Sequence, residues 1–232
     1  MTRRLILLRH GQTHYNASFR MQGQLDTELS ELGVRQAHAV GRVLAPRRPW
    51  TILSSDLRRA RDTATALAAE VGLEVHTDPR LRETHLGSWQ GMSHSEVDEQ
   101  WPDARQQWRS RPRWSPPEGE SRIDVARRTR AVVDELVEQA PEWNEHPAVL
   151  VAHGGAIAAL TAALLELRVE QYPMFNGLGN TCWVQLSAHP RPQGSPGSAA
   201  EPEVGPVTDT ARGLLWRLDQ WNAGITLPEE AQ

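Results

Sequence analysis

The amino-acid sequence predicts an α/β fold in three layers: a mostly parallel central sheet between helices, with a helical cap over one end. Three observations carry that expectation. Short apolar runs at residues 5–8, 51–54 and 148–152 alternate with longer stretches of helical periodicity. Two of these runs lead directly into Arg9-His10-Gly11 and His153-Gly154-Gly155. Polar residues delivered at the C-terminal ends of strands mark the place where open α/β sheets bind ligands. Between residues 88 and 120 the alternation stops, and Trp89, Trp101, Trp108 and Trp114 lie among prolines and charges. That stretch reads as a helical excursion covering one end of the sheet.

The elements follow in order. Residues 5–8 form a buried strand. From residue 30 to 44, Leu32, Ala39, Val40, Val43 and Leu44 recur at helical spacing, with Ser30 placed to cap the start. Residues 51–54 form the next strand. An Ala-rich helix runs over 57–71 and stops at Gly72, a residue suited to the left-handed turn that ends helices. Residues 73–76 read as a short edge strand. After the cap, a helix over 125–140 precedes Pro141, residues 148–152 form a second buried strand, and 155–167 read as a helix. Two late strands are expected at 181–187 and 214–221. Between them, residues 188–212 are rich in Pro, Gly, Ser and Ala and predict a mobile loop. The chain over 1–232 is thus one domain with a cap insertion at 88–120, and no internal repeat is evident.

Composition narrows the possible functions. The net charge of −4 argues against nucleic acid or an anionic membrane surface as a partner. No run of about 18 apolar residues exists to span a membrane. The apolar run after Arg3-Arg4 is too short for a signal peptide. Cys182 is the only cysteine, so no intrachain disulfide can form. Together these features predict a cytoplasmic protein. All 25 basic residues are Arg, so a phosphate-loop or Schiff-base lysine is excluded. Any anion site must use Arg, His or backbone N–H groups. Of the nine Trp, against two Phe and two Tyr, most read as packing residues whose indole N–H groups find partners, and those in 88–120 have a second reading as sugar platforms.

Five separated stretches share one chemical theme, the holding and cleaving of a phosphoryl group. Arg9 offers a planar fork of donors suited to phosphate oxygens, and His10 a nitrogen that is nucleophilic when neutral. Gly11 lets a ligand approach the backbone closely. Asn16, Gln22 and Gly23 lie downstream. Ser54-Ser55-Asp56-Leu57-Arg58-Arg59-Ala60 is a strand end opening a helix, where N–H groups and an Arg meet. The remaining stretches are Arg82-Glu83-Thr84-His85-Leu86-Gly87, Gly119-Glu120-Ser121 and Val151-Ala152-His153-Gly154-Gly155. Glu83 has a second reading as an ion-pair partner of Arg80 or Arg82, and His153 a second reading as a packed residue at a helix start. His10 and His14 have the i, i+4 spacing of metal ligands on a helix, but Gly11 argues against a helix there. No metal site is expected at Asp26, Asp56, His85 or His94, and no cofactor is implied.

These blocks, in this order, resemble the histidine phosphatase (phosphoglycerate-mutase-like) superfamily over nearly the whole chain except 188–212. The resemblance implies that His10 attacks phosphorus and becomes phosphohistidine. It implies that Arg9, Arg59 and His153 surround the phosphoryl oxygens, and that Asn16, Gln22, Gly23 and Gly154 contribute to the binding pocket. It gives Glu83 the role of protonating the leaving oxygen and then activating water. The family's functional Arg directly precedes Ala, which selects Arg59 over Arg58. Two activities occur on this pattern, mutase and phosphatase. The basic, Tyr/Arg-rich cap of the mutases has no counterpart in 101–109, so the resemblance implies a metal-independent phosphatase of a small phosphomonoester. Residues 21–33, 80–87 and 216–219 resemble the branch that hydrolyses glucosyl-3-phosphoglycerate to glucosylglycerate and phosphate. A phosphoglycerate mutase and a phosphatase of broad specificity are the alternatives. A homodimer is the expected assembly.

Overall fold

A computed structural model describes residues 2–140, 143, 146–175, 177–192 and 203–225. In chain order the main elements are β1 (Arg3–Arg9), α1 (His14–Ala17), α2 (Glu31–Leu44), β2 (Thr51–Ser54), α3 (Arg58–Val71) and β3 (Val75–Thr77). Then come α4 (His94–Gln100), α5 (Ala104–Ser110), α6 (Arg122–Gln139), β4 (Ala148–Ala152) and α7 (Gly154–Leu164). The chain closes with β5 (Trp183–Pro190), α8 (Asp209–Arg212) and β6 (Leu214–Ala223). The six strands make one sheet in the order β3-β2-β4-β1-β5-β6. The first four run parallel, and β5 is antiparallel to both β1 and β6.

The apolar strands at the centre are explained by burial on both faces. Leu5, Leu7 and Leu150 pack with α6 and α7 through Val133, Val137, Ile157 and Leu160. Ile6, Leu8, Val149 and Val151 point the other way, onto Val40, Leu44, Ala64 and Leu67 of α2 and α3. The period of two therefore persists inside an unbroken apolar run, because each face meets its own helical layer.

The cap takes the form expected of it, with α4 and α5 inside the 88–120 excursion. Trp89 is fully buried at its centre and packs against Trp101, Trp108 and Trp114, with ring centroids 6.3, 6.0 and 5.5 Å away. The packing expectation holds, but the expected indole partners do not. The buried Nε1 atoms of Trp89, Trp108, Trp143, Trp183 and Trp216 have no protein acceptor. The large ring area outweighs the unmade bond, whose net worth is only about 1 kcal/mol.

Several boundaries differ from expectation. The edge strand starts at Val75 rather than 73, and α7 stops at Leu164 rather than 167. Helix α6 begins at Arg122 because Ser121 accepts from Asp124 N and Asp124 reaches back to Ser121 N. Strand β5 continues to Pro190, and 209–212 is helical, so both ends of the stretch expected as a loop over 188–212 are regular structure. Residues 203–208 also pack: Val204 is buried and Val207 N donates to Asp134. Residues 193–202 of the expected loop, and Pro141, lie outside the described residues. Ser30 does cap α2, accepting from Gly33 N at 3.1 Å, and Gly72 closes α3 with φ +70°.

One packing contact fixes the segment that follows β1. The first turn of α2 lies directly on the backbone of Gly11 and Gln12. A Cβ on Gly33 would sit 1.9 Å from the Gln12 carbonyl oxygen, and one on Gly11 would sit 2.5 Å from the Gly33 oxygen. Ser30 N donates to Gln12 O and Gln12 N to Gln36 Oε1, both at 2.9 Å. Gly33→Ala is expected to reverse the usual sign for a helix, where Ala gains about 1 kcal/mol over Gly. The methyl meets rigid backbone, so stability should fall by about 2 kcal/mol. Thermal unfolding followed by circular dichroism should show a midpoint about 6 °C lower. An unchanged or higher midpoint would mean that the helix can shift off the loop.

Candidate active site

The parallel arrangement of β1, β4 and β2 puts the ends of all three strands on one edge. His10 N donates to Ala152 O at 3.1 Å, and Ser55 N to Val151 O at 2.9 Å. Arg9 and His10 leave β1, His153 leaves β4, and Arg59 opens α3 just beyond β2. Residues more than a hundred positions apart thus meet because their strands are neighbours. A cleft of about 270 Å³ opens there, lined by Arg9, His10, Asn16, Gln22, Gly23, Arg59 and Glu83. Arg20, Met21, Thr84, Leu86, His94, Trp108 and Gly155 complete its wall.

His10 is buried, 3% exposed, and its Nδ1 lies 2.6 Å from the Gly11 carbonyl oxygen. A carbonyl only accepts, so Nδ1 carries the proton and Nε2 keeps its lone pair. Burial holds the His10 pKa well below the ordinary histidine range, and the charges of Arg59 and Arg9 add to the effect. The ring is therefore neutral and nucleophilic at neutral pH. The His153 ring stands 5.1 Å away, centroid to centroid. It is fully buried, and burial, then Arg59, lower its pKa well below the usual range too.

Cationic groups reach the same place with donors to spare. Arg59 is 1% exposed and anchored by Nη1 to Leu25 O at 2.7 Å and Nη2 to Gly23 O at 2.9 Å. Burial pulls its pKa down to about 10, which leaves it charged at neutral pH. Arg9 Nη1 donates to Leu178 O, and burial also lowers the Arg9 pKa. The Nε atoms of Arg9 and Arg59 and both ring nitrogens of His153 are buried without a protein partner. Arg58, by contrast, is half-exposed and pairs with Glu28 and Asp62. Arg59 lines the cleft and Arg58 does not.

The neutral groups are oriented by their own networks. Asn16 Oδ1 accepts from Thr13 N at 3.1 Å and Asn180 Nδ2 at 3.2 Å, which leaves the Asn16 amide N–H groups for the cleft. Gln22 Oε1 accepts from Thr27 Oγ1 at 2.6 Å. Gly23 adopts φ +54°, and a Cβ there would sit 2.4 Å from Gln90 Oε1. Gly154 starts α7 beside Arg9, whose Nε would be 3.6 Å from a Cβ at that position. His153 and Gly154 are not among the residues lining the cleft, although the His153 ring stands beside that of His10.

Glu83 is not an ion-pair partner of its neighbours. Arg82 pairs bidentately with Asp56 at 2.8 and 2.5 Å, and Arg80 with Asp78 and Glu135. The Glu83 carboxylate instead sits on the start of α7. It accepts from Gly155 N at 3.0 Å, Ala156 N at 2.9 Å and its neighbour Thr84 N at 2.8 Å. This places a carboxylate in the cleft that His10 also lines. Arg20, His94 and Trp108 line the cleft although the sequence reading did not assign them to it. Trp108 packs on Trp89 and also lines the cleft. Among the described residues, no group of three or more His, Cys, Asp or Glu is placed to hold a metal ion.

Comparison with known proteins agrees with this geometry. Residues 5–193 match the family model for the histidine phosphatase superfamily (branch 1). The chain is 56% identical to a glucosyl-3-phosphoglycerate phosphatase of Mycolicibacterium vanbaalenii, with 98% of each chain covered. It is 54% identical to one from Mycobacterium tuberculosis, again over 98% of each chain. The structure of a mycobacterial glucosyl-3-phosphoglycerate phosphatase in complex with VO3 superposes with a TM-score of 0.86 at 52% identity, covering 96% of this chain and all of that one. Matched over residues 5–193 and 54–56% identical to these relatives, this chain belongs to branch 1 of the histidine phosphatase superfamily.

Proposed function

We propose that this chain hydrolyses glucosyl-3-phosphoglycerate to glucosylglycerate and phosphate through a phosphohistidine on His10. One observation carries the phosphatase reading. Four buried nitrogens, on Arg9, Arg59 and His153, surround His10 without protein partners. Leaving such groups unpaired is costly, and a phosphoryl dianion would accept from the arginine N–H groups and from the one N–H that neutral His153 carries. The substrate follows from the relatives named above, which match over nearly the full chain.

In this mechanism His10 Nε2 attacks phosphorus while the bond to the glycerate oxygen breaks. Glu83 gives that oxygen its proton. Water then attacks the phosphohistidine, Glu83 takes the proton from it, and phosphate leaves with His10 restored. Arg9 and Arg59 balance the charge on the phosphoryl oxygens without reorganising, and Asn16 and Gln22 add neutral donors. The cap favours hydrolysis over return transfer: it gives the cleft His94 and Trp108, while Arg105 is paired with Asp98. No arginine of the cap is among the residues lining the cleft, as the mutases' cap grip on the substrate carboxylate would require. A cytoplasmic location and a two-fold dimer belong to the same proposal. A screen of phosphomonoesters tests the substrate, with glucosyl-3-phosphoglycerate expected well ahead of 3-phosphoglycerate and 2,3-bisphosphoglycerate.

His10→Ala should leave the fold intact and lower turnover by about 10⁴-fold or more, since it removes the nitrogen that accepts the phosphoryl group. Acid-labile, base-stable labelling from radioactive substrate should appear in the wild type and vanish in the variant. Residual turnover within about tenfold of wild type would rule out the covalent route.

Because Arg9 and Arg59 provide the positive charge that Mg²⁺ supplies in many phosphoryl-transfer enzymes, activity should stay within about twofold after treatment with EDTA. Loss on chelation with recovery on adding Mg²⁺ would contradict this division of charge.

Glu83 and Arg59 should separate by leaving group. An alkoxide needs a proton, whereas p-nitrophenolate hardly does. Glu83→Gln should slow phosphoenzyme formation from glucosyl-3-phosphoglycerate by about a hundredfold or more and change it little with p-nitrophenyl phosphate. Arg59→Ala should slow both alike. Burst kinetics on the two substrates reads this directly, and equal slowing by Glu83→Gln would remove the proton-donor role.

A further inference from the structure

The stretch Gly119-Glu120-Ser121 puts no side chain into the cleft. Its glutamate instead joins Arg128, one helical turn and a half into α6, in a clamp on the backbone around Glu83. Arg128 Nε and Nη2 donate to the two Glu120 carboxylate oxygens at 2.8 and 2.9 Å. Arg128 Nη1 donates to the carbonyl oxygens of Arg80 and Arg82, both at 2.7 Å, and Nη2 to that of Glu83 at 2.9 Å. Glu120 Oε2 also accepts from His85 N at 2.8 Å, and Glu120 N donates to His85 O at the same distance. The pair is largely buried, with side chains 18% and 24% exposed.

The segment from 80 to 85 has no strand neighbour to satisfy its carbonyl groups. One guanidinium meets three of them and one carboxylate meets the amide beyond, on both sides of Glu83. The main chain at Glu83 is thereby tied to α6, while its carboxylate is tied to the first amides of α7. A small displacement of the main chain would move the carboxylate relative to the bond being broken. Misplacement of about 1 Å can cost about a hundredfold in rate.

We propose that Arg128 is the positioning residue for Glu83, with Glu120 holding its guanidinium in plane. Arg128 touches no reacting atom and acts only through the proton transfer. The proposal rests on Glu83 being the proton donor. A purely structural role would lower stability, or lower activity on all substrates equally. A positioning role makes the loss depend on the leaving group.

The test is the rate of phosphoenzyme formation from glucosyl-3-phosphoglycerate and from p-nitrophenyl phosphate, measured on the wild type and on Glu83→Gln, Arg128→Met, Arg128→Lys and Glu120→Gln, alongside thermal midpoints. Arg128→Met should slow the glucosyl ester by about a hundredfold while the aryl ester stays within about threefold. Arg128→Lys keeps a charge and some donors and should recover part of the loss, with the same selectivity. Equal slowing on both esters, or a lower midpoint with both rates kept, would overturn the proposal. If Arg128→Met does not fold, Arg128→Lys and Glu120→Gln decide the matter by the same criterion. Selectivity in Glu83→Gln but not in the Arg128 and Glu120 variants refutes the positioning role alone. Absence of selectivity in Glu83→Gln refutes the proton-donor reading and this proposal with it.

Discussion

The burial of unpartnered positive and polar nitrogen around one neutral histidine is the constraint on which this structure turns. Arg9 and Arg59 carry charge in a place where desolvation pulls their pKa values down. The same burial, aided by their charges, keeps His10 and His153 neutral. Such a cluster is unfavourable until an anion arrives. It persists because each cation is held by groups other than its free donor: Arg59 by the carbonyls of Gly23 and Leu25, Arg9 by that of Leu178. The remaining donors are fixed in direction before any ligand binds, the condition under which charge stabilisation costs no reorganisation.

Much of the scaffold can be understood as keeping that cluster in register. Thr63 on α3 accepts from Gly11 N at 3.1 Å and donates to Arg59 O at 2.8 Å, so one hydroxyl links the His10 loop to the helix bearing Arg59. The close contact of Gly33 with Gln12 fixes the same loop from α2. On the opposite layer α7 serves twice, since His153 is its N-cap and its first amides hold Glu83. Within α6 the fully buried Arg130 pairs with Asp134 at 2.8 Å, and Arg130 ties the helix to α7 by donating to Ala163 O. Asp134 in turn receives Val207 N, which draws the segment before α8 into the same layer.

The cap plays a different part. Its tryptophans form a separate small core around Trp89 and share few residues with the sheet layers. It closes the cleft with an aromatic ring and an imidazole rather than with arginine, so the phosphoryl end carries nearly all of the charge. Arg20, which lines the cleft and reaches Gly91 O at 2.7 Å, is the exception on the outer wall.

The sequence by itself determined the parts that rest on local patterns. The apolar runs predicted β1, β2 and β4, and Ser30 and Gly72 marked helix ends that the structure keeps. His10, Arg9, Arg59, Glu83 and His153 were recognisable because their neighbours recur as blocks in a known order. What stayed illegible depends on contacts distant in sequence. Nothing local shows that Arg82 is taken by Asp56 and that Glu83 is thereby left to α7, or that Arg128 reaches back to the backbone of residues 80–83. The boundaries of β5 and α8 shifted because pairing with β1 and β6 and the burial of Val204 and Ala211 outweigh a loop-like composition. Only tertiary structure decided that Trp108 and His94 face the cleft and that five indole N–H groups go unpaired, because a side chain's surroundings are set by the layers that fold over it.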